Sequence, residues 1–417
     1  MKAIIHHSDI GGTAAAPASK SHAHRLLICA AFSSEQSSVV CPDAGDDVLA
    51  TVSCLNALGA EIAQNGSVFT VKPINMPTNG AEIDCRESGS TLRFLLPVIC
   101  ALGIDCRIFM SDRLARRPLM PLCDELVRHG AVISGAGTSL LTVSGGLRDF
   151  EFRIPGNISS QFISGLLLAA AVNGSGKVNI TSKLCSANYV DITLRCLEAA
   201  DLRIKRESGR ISVCGKPHMK GSHSVEGDWS NAAFWLCAGA IGKKPVSVTG
   251  LDLSSAQGDK KVLDILCSFG ADIAISGNNI TVYPSPLRAA DIDAADVPDL
   301  VPAVSLLCAA ADGDSRIYNA ARLRDKESDR LAAVSSVLSA LGADINETED
   351  GLLIHGGRTL HGARVSSFGD HRIAMTSAVA SLICDSAVEI DAAEAIGKSY
   401  PRFFDDFAAL GGRLELT

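Results

Sequence analysis

The feature that most constrains this chain is a repeat. A helix-end motif leading into a strand recurs six times, as "LNALGAEI", "LVRHGAVI", "CLEAADLRI", "LCSFGADI", "LSALGADI" and "FAALGGRL". Its markers Gly59, Gly130, Ala200, Gly270, Gly342 and Gly411 lie 69 to 72 residues apart. A fixed period of this kind means one supersecondary unit used over and over. Five of the markers are glycine, the residue that ends a helix in the left-handed conformation before the chain turns into a strand. Past each marker the pattern is that of strand, turn, strand, as in "AEIAQNGSVFTV" and "ADIAISGNNITVYP".

A second helix recurs with the same period: "KSHAHRLLICAAF", "GSTLRFLLPVICALG", "SQFISGLLLAAAVNG", "WSNAAFWLCAGAIG", "DLVPAVSLLCAAADG" and "DHRIAMTSAVASLIC". These segments begin at Lys20, Gly89, Ser160, Trp229, Asp299 and Asp370. After a polar start they are apolar nearly all round, the pattern of a helix buried on every side. They are expected to form the core, with the strands and the other helices outside. If three such helices run parallel in each half, their free N–H groups and positive dipole ends gather at one end of each domain. Two facing ends would then make an anion-binding cleft.

With 417 residues the chain is too long for one ordinary core, and two or three domains are expected. Hydrophobic residues at 47% and charged residues at 20% describe a globular protein with no solvating tail. The longest apolar run, "LLPVICALGI" from Leu95 to Ile104, is far short of the ~18 residues that a membrane span needs. The opening "MKAIIHHSDIGG" has neither the apolar segment nor the cleavage site of a secretory signal, so a cytoplasmic protein is expected. The fourteen cysteines show no C-x-x-C spacing and read as small core residues, not as metal ligands. A net charge of -8 opposes a broad nucleic-acid footprint, so any anion site is local.

The starts of the buried helices carry more than caps. They hold Lys20, Ser21 and Arg25; Gly89, Ser90 and Arg93; Ser159, Ser160 and Gln161; Asp228 and Ser230; Asp299; and Asp370, His371 and Arg372. The second helices add Arg116 and Arg117 before Pro118, then Tyr189, then Lys326, Glu327 and Arg330, and finally Lys398. Ser159, Asp228 and Asp299 stand where N-caps belong, and Pro118 and Pro401 fit first-turn positions. Glu327 and Arg330 have the spacing of a local helical ion pair. Capping, however, needs short oxygens and has no use for Lys20, Arg93 or Arg372. Their recurrence at equivalent positions calls for an anionic ligand.

Nine motifs in this order carry a resemblance: "ASKSHAHR" (18 to 25), "ESGSTLR" (87 to 93), "RRPL" (116 to 119), "SSQF" (159 to 162), "YVDITL" (189 to 194), "VPD" (297 to 299), "DKESDR" (325 to 330), "GDHRIAM" (369 to 375) and "KSYPRFF" (398 to 404). Over its whole length the chain resembles the 5-enolpyruvylshikimate-3-phosphate synthase family. The resemblance implies an α/β fold of two similar domains, each an inside-out α/β barrel of three βαβαββ repeats. One domain would span residues 20–225. The other would combine residues 1–19 and 226–417, with the active site in the cleft between them.

The implied reaction transfers the enolpyruvyl group of phosphoenolpyruvate to the 5-hydroxyl of shikimate 3-phosphate, with release of phosphate. Carried over residue by residue, Lys20, Gly89, Arg117, Gln161, Glu327, Arg330, Arg372 and Lys398 would surround phosphoenolpyruvate. Lys20, Ser21, Arg25, Ser159, Ser160, Gln161, Ser186, Tyr189, Asp299 and Lys326 would serve shikimate 3-phosphate. Asp299, Glu327 and Lys20 would be catalytic. No metal and no organic cofactor are implied, and the partners would be the two small substrates of a monomeric enzyme, without nucleic acid or membrane. Ala18, Glu87, Phe94 and Arg322 depart from the family's usual residues, and Arg322 stays outside the expected site. His22 and His24 are expected at the hinge or the cleft rim.

Three alternatives share parts of this pattern. A UDP-N-acetylglucosamine enolpyruvyl transferase usually has Lys-Asn where this chain has Lys20 and Ser21, and a cysteine that "SDRLARRPL" lacks. A noncatalytic nucleic-acid clamp of six repeats conflicts with the net charge. An RNA-phosphate cyclase would need a nucleotide-linked histidine, whereas His371 belongs to "GDHR".

Overall fold

Segments that are polar only in their first turn become the innermost helices of the protein, described over residues 1–417 in a computed structural model. The six core helices are Lys20–Ala31, Gly89–Leu102, Ser160–Asn173, Trp229–Ile241, Val301–Ala310 and His371–Ala380. Burial of nearly every side chain beyond the first turn explains why they carry no polar face. The chain divides into two compact units, residues 18–225 and residues 1–17 with 226–417. Each holds three core helices and three four-stranded sheets.

One repeat shows the plan. Strand Ala81–Asp84 leads into core helix Gly89–Leu102 and pairs in parallel with strand Cys106–Phe109, Ala81 opposite Cys106. The outer helix Leu122–Arg128 then precedes a hairpin, Val132–Ser134 with Leu140–Ser144, whose second strand adds antiparallel to Cys106–Phe109. A strand that re-enters its sheet in parallel needs a long crossover, and the core helix supplies it. The same strand order recurs in every sheet.

Three sheets are completed by strands distant in sequence. Gly12–Ala15 pairs with Val246–Thr249, and Gly221–Ser224 pairs with Ser37–Val40, both in parallel. Lys2–His6 lies between Val388–Asp391 and Arg413–Leu416, supplying the last strand that the sixth repeat lacks at its own end. The termini are tied by reciprocal bonds, Lys2 N to Thr417 O at 2.7 Å and Thr417 N to Lys2 O at 2.9 Å.

Short oxygens cap five of the six core helices: Ser19, Ser88, Ser159, Asp228 and Asp370 each accept from a first-turn amide. Helices Gly89–Leu102 and Ser160–Asn173 approach so closely that a Cβ at Gly165 would lie 2.2 Å from the Arg93 carbonyl oxygen, so only glycine fits there.

Several details differ from the sequence reading. Gly59, Gly130, Gly270, Gly342 and Gly411 are left-handed, with φ between +81° and +112°, but Ala200 has φ -92° and its neighbour Asp201 takes the left-handed position at +64°. The third marker is therefore Asp201, an acid whose short polar side chain tolerates that conformation. Asp299 does not cap a helix. It sits within a 3-10 turn, Pro298–Leu300, ahead of a helix whose second residue is Pro302, and the N-cap positions of the two fall to Val297 and Leu300. Pro118 and Pro401 lie ahead of the helices Leu122–Arg128 and Phe403–Ala409, outside their first turns. All fourteen cysteines are free; eleven are buried, but Cys185 is half-buried and Cys214 and Cys267 are exposed. No helix is long and apolar enough to cross a membrane.

Candidate active site

In the unit of residues 18–225 the polar first turns of the core helices gather side chains from three repeats. Lys20 Nζ donates to Asp47 Oδ2 at 2.9 Å. Asp47 lies in the first turn of outer helix Asp46–Ala57, where a carboxylate is also favoured by the helix dipole. Arg93 Nη1 donates to Gln161 Oε1 at 2.7 Å, and Gln161 Nε2 donates to Ser90 Oγ at 2.9 Å, so the second and third helix starts are joined. Arg117 comes to the same place: a Cβ on Gly89 would lie 2.9 Å from its Nη1 and 3.0 Å from Arg93 Nη1. Gly89 is thus needed for close packing, not for backbone freedom. The Arg117 Nε is buried without a hydrogen-bond partner, an orphaned donor beside a helix N-terminus.

Arg25 lies one turn past Ser21 and is only 1% exposed. Its guanidinium donates to Thr193 Oγ1 at 2.6 Å, the Ser21 carbonyl at 2.6 Å, the Tyr189 carbonyl at 3.0 Å and Ser164 Oγ at 3.3 Å, and lies 4.6 Å from the Phe94 ring centre. All these partners are neutral. Burial accordingly pushes its pKa down to about 10, opposed by Cys196, Tyr189 and Cys29. A buried cation whose hydrogen bonds all go to neutral groups favours an anion nearby. Tyr189 comes three residues after Ser186, which starts helix Ala187–Ala199 at φ +53° and is buried. A serine in the left-handed region is a site of backbone strain, of the kind found where function requires it. Ser159 and Ser160 begin the third core helix, beside Gln161.

The other unit builds its cluster on one guanidinium. Arg330, 1% exposed, donates from Nη1 to Asp299 Oδ1 at 2.7 Å, from Nη2 to Glu327 Oε2 at 2.7 Å and from Nε to Asp370 Oδ2 at 2.8 Å. Burial opposes its charge, but Asp370, Glu327 and Asp299 together outweigh that cost and hold its pKa well above the ordinary value. Asp299 is also met by Lys326 Nζ at 3.3 Å and Arg372 Nη2 at 3.4 Å. The Asp299 carboxylate is thus met by three cations. Lys398 Nζ donates to the Gly369 carbonyl at 2.5 Å, which sets it next to the capped start of the sixth core helix.

Of the residues singled out from the sequence, one unit brings together Arg25 with Tyr189 and Gly89 with Arg117 and, by way of Arg93, with Gln161, and the other Asp299 and Glu327 with Lys326, Arg330 and Arg372, while Ser159, Ser160 and Ser186 stand at helix starts. Three others belong with them: Asp47, Arg93 and Asp259. Arg93 was visible as a basic residue recurring at a helix start, whereas Asp47 and Asp259 carried no signal beyond an acid near a glycine. Asp259 accepts a short hydrogen bond from Ser230 Oγ. Burial, and after it Asp299, pushes its carboxyl up to about 7, against the Ser230 bond and Arg372, with Asp228 adding to the rise. Arg322 binds the Ala295 carbonyl at 2.5 Å. His24 is fully buried within its unit, not on a rim, because its ring is hydrogen-bonded to Thr51 and packed edge-on to Phe94.

The model of the family described as EPSP synthase (3-phosphoshikimate 1-carboxyvinyltransferase) matches residues 5–407. A 3-phosphoshikimate 1-carboxyvinyltransferase of Methanocorpusculum labreanum is 39% identical over 417 residues, covering 99% of each chain. One of Clostridium kluyveri is 38% identical over 416 residues, covering 99% of this chain and 97% of the relative. Among solved structures, an EPSP synthase of Acinetobacter baumannii superposes with a TM-score of 0.82 at 26% identity over the full length of both chains. The enolpyruvyl transferase NikO of Streptomyces tendae shares the fold, with a TM-score of 0.81 at 19% identity over 100% of this chain and 98% of that one. With a family match across almost the entire sequence and relatives near 40% identity from end to end, the chain belongs to the EPSP synthase (3-phosphoshikimate 1-carboxyvinyltransferase) family.

Proposed function

We propose that the two clusters divide the work of the family's reaction, transfer of the carboxyvinyl group of phosphoenolpyruvate to the 5-hydroxyl of shikimate 3-phosphate. The reaction needs two proton movements. The hydroxyl loses its proton as its oxygen bonds to C2, while C3 gains one and becomes a methyl group. The tetrahedral intermediate then loses phosphate as a methyl proton leaves. Asp299 accepts the hydroxyl proton, and Glu327 supplies and later removes the proton at C3. Each such step contributes ~10²–10⁴-fold.

Lys20 and Lys398 neutralise the departing phosphate. Arg117, Arg330 and Arg372 hold phosphate and carboxylate oxygens, a task suited to a planar fork that binds two oxygens at once. Gly89 lets phosphoenolpyruvate approach the helix start, and Gln161 lies between the two substrates. Shikimate 3-phosphate is held by Lys20, Ser21, Arg25, Ser159, Ser160, Gln161, Ser186, Tyr189, Asp299 and Lys326. On this reading the enzyme is a cytoplasmic monomer that acts on small molecules and has no nucleic-acid or membrane partner.

The observation that carries the acid–base assignment is the guanidinium of Arg330, on which the carboxyls of Asp299 and Glu327 are both held at 2.7 Å. One cation thereby fixes the orientation of two proton-transfer groups. The phosphoenolpyruvate assignment rests on the Gly89 helix start and is tested there. In Gly89→Ala the added methyl meets only the flexible ends of Arg117 and Arg93, so the fold survives. Its KM for phosphoenolpyruvate rises about tenfold, a loss of ~1.4 kcal/mol, while that for shikimate 3-phosphate stays within twofold. A wild-type KM for phosphoenolpyruvate would make Gly89 a packing residue only.

A further inference from the structure

Beneath the Lys20 and Gly89 helix starts lies a buried polar chain to which the reaction assigns no role. His24 stands one turn beyond Lys20 on the first core helix, and Thr51 stands one turn beyond Asp47 on the outer helix Asp46–Ala57. The two helices are thus joined by two rungs: Lys20 Nζ to Asp47 Oδ2 at 2.9 Å, and His24 Nδ1 to Thr51 Oγ1 at 2.7 Å. The second rung continues. Thr51 Oγ1 is 2.6 Å from Thr91 Oγ1, which donates to Ser88 Oγ at 2.7 Å. Thr91 Oγ1 also lies 3.4 Å from the Asp47 carbonyl oxygen, and Ser88 Oγ caps the Thr91 amide at 3.3 Å. His24, Thr51, Ser88 and Thr91 are all fully buried.

The order of hydrogens along this chain is set by its far end. With the Thr91 hydroxyl spent on Ser88, Thr51 donates to Thr91, and His24 must donate from Nδ1 to Thr51. The remaining His24 nitrogen, Nε2, is buried without a partner. As a bare acceptor it is less costly there than an unpaired N–H would be. This assigns the Nδ1–H tautomer from the network.

We propose that His24 is a positioning residue: its Nδ1–H, acting through Thr51 and Thr91, sets the rotation of the Asp47 helix, and with it the Lys20 ammonium, and also the Ser88–Gly89 turn. The proposal rests on the reading of Lys20 and Gly89 as phosphoenolpyruvate ligands. Groups in this environment keep the ring uncharged, since burial, with Lys20 and Arg25 adding to it, holds its pKa well below the ordinary value. A neutral donor is required, because a second N–H would sit at the buried Nε2, which has no hydrogen-bond partner.

The test uses Thr51→Val, which removes one hydroxyl with little change of shape, together with His24→Leu and His24→Asn. The asparagine amide can place a donor where Nδ1 stands. Thr51→Val and His24→Leu each raise the KM for phosphoenolpyruvate about tenfold and that for shikimate 3-phosphate no more than about threefold, because the relay reaches two groups proposed for phosphoenolpyruvate, Lys20 and Gly89, but only one, Lys20, of those proposed for shikimate 3-phosphate. His24→Asn stays within threefold of wild type, and the Thr51→Val, His24→Leu double variant is no worse than the weaker single. Amide hydrogen exchange at Gly89 and Thr91 speeds up about tenfold in Thr51→Val. Unchanged exchange there, or a wild-type KM for phosphoenolpyruvate, overturns the proposal, as does an equal rise in both KM values. Gly89→Ala, measured alongside, separates the two readings. A raised KM in Gly89→Ala with an unchanged one in Thr51→Val removes the relay alone, whereas wild-type values in both remove phosphoenolpyruvate from this helix start.

Discussion

Replacing Glu327 with glutamine lowers kcat by ~10²-fold or more while substrate binding persists. The amide has the size of the carboxyl and keeps an oxygen for Arg330 Nη2, now 2.7 Å away, so the local geometry survives. What it loses is the ability to give and take a proton. If Glu327 moves the C3 proton in both directions, the addition and elimination steps both fail, and no other group replaces it at the same atom. Steady-state turnover gives the first number, and equilibrium binding of shikimate 3-phosphate gives the second. Turnover within a few-fold of wild type would take Glu327 out of proton transfer and leave it as an anchor for Arg330.

The second large effect is on stability. Arg330→Met removes the cation that three carboxylates share and leaves Asp370, which is fully buried, without the guanidinium and with only the Ser328 hydroxyl and the Arg372 amide as hydrogen-bond donors. Breaking a buried pair from one side costs about 3–5 kcal/mol, because the orphaned charge stays where water cannot reach it. In a unit of this size that is a fall in Tm of roughly 10 °C. Turnover falls as well, since Asp299 and Glu327 lose their common anchor. Adding Asp370→Asn to Arg330→Met should restore part of the lost stability by removing the buried charge. A Tm within 2 °C of wild type for Arg330→Met, or no recovery in the double variant, would show that Asp370 is otherwise compensated and that Arg330 is not the hub of this cluster.

How far the sequence discloses this architecture depends on the range of the interaction involved. The core helices are legible because burial on all sides leaves an apolar run with polar residues only at the capped first turn. Four of them begin at the residues expected, Lys20, Gly89, Ser160 and Trp229. The fifth does not, since Pro298 and Pro302 bracket Asp299 and bend the entry into a 3-10 turn. That local exception matters, because it sets Asp299 off the N-cap position, where its carboxylate meets Lys326, Arg330 and Arg372. The glycine markers are legible through their left-handed caps, and the third is misread by one residue because Asp201 does glycine's work at φ +64°.

Pairings between distant segments have no local signature. Nothing in "MKAIIHHSDIGG" indicates that Lys2–His6 completes the sheet of the last repeat, or that Gly12–Ala15 joins Val246–Thr249. Lys20, Arg93 and Arg372 stand out in the sequence because positive charge at a helix start is unusual. Asp47 does not, as an acid in the first turn of an outer helix is ordinary capping chemistry. Its meaning comes from the Lys20 ammonium 2.9 Å away. His24 is misplaced for the same reason, since a histidine near a polar helix start looks accessible until Thr51 and Phe94 are seen to enclose it.

The most direct test of the account is release of inorganic phosphate from phosphoenolpyruvate by the purified chain, with each acceptor supplied in turn. Shikimate 3-phosphate should elicit stoichiometric release with formation of its 5-enolpyruvyl ether, and UDP-N-acetylglucosamine should elicit none. No release with shikimate 3-phosphate, or release with the nucleotide sugar instead, would contradict it.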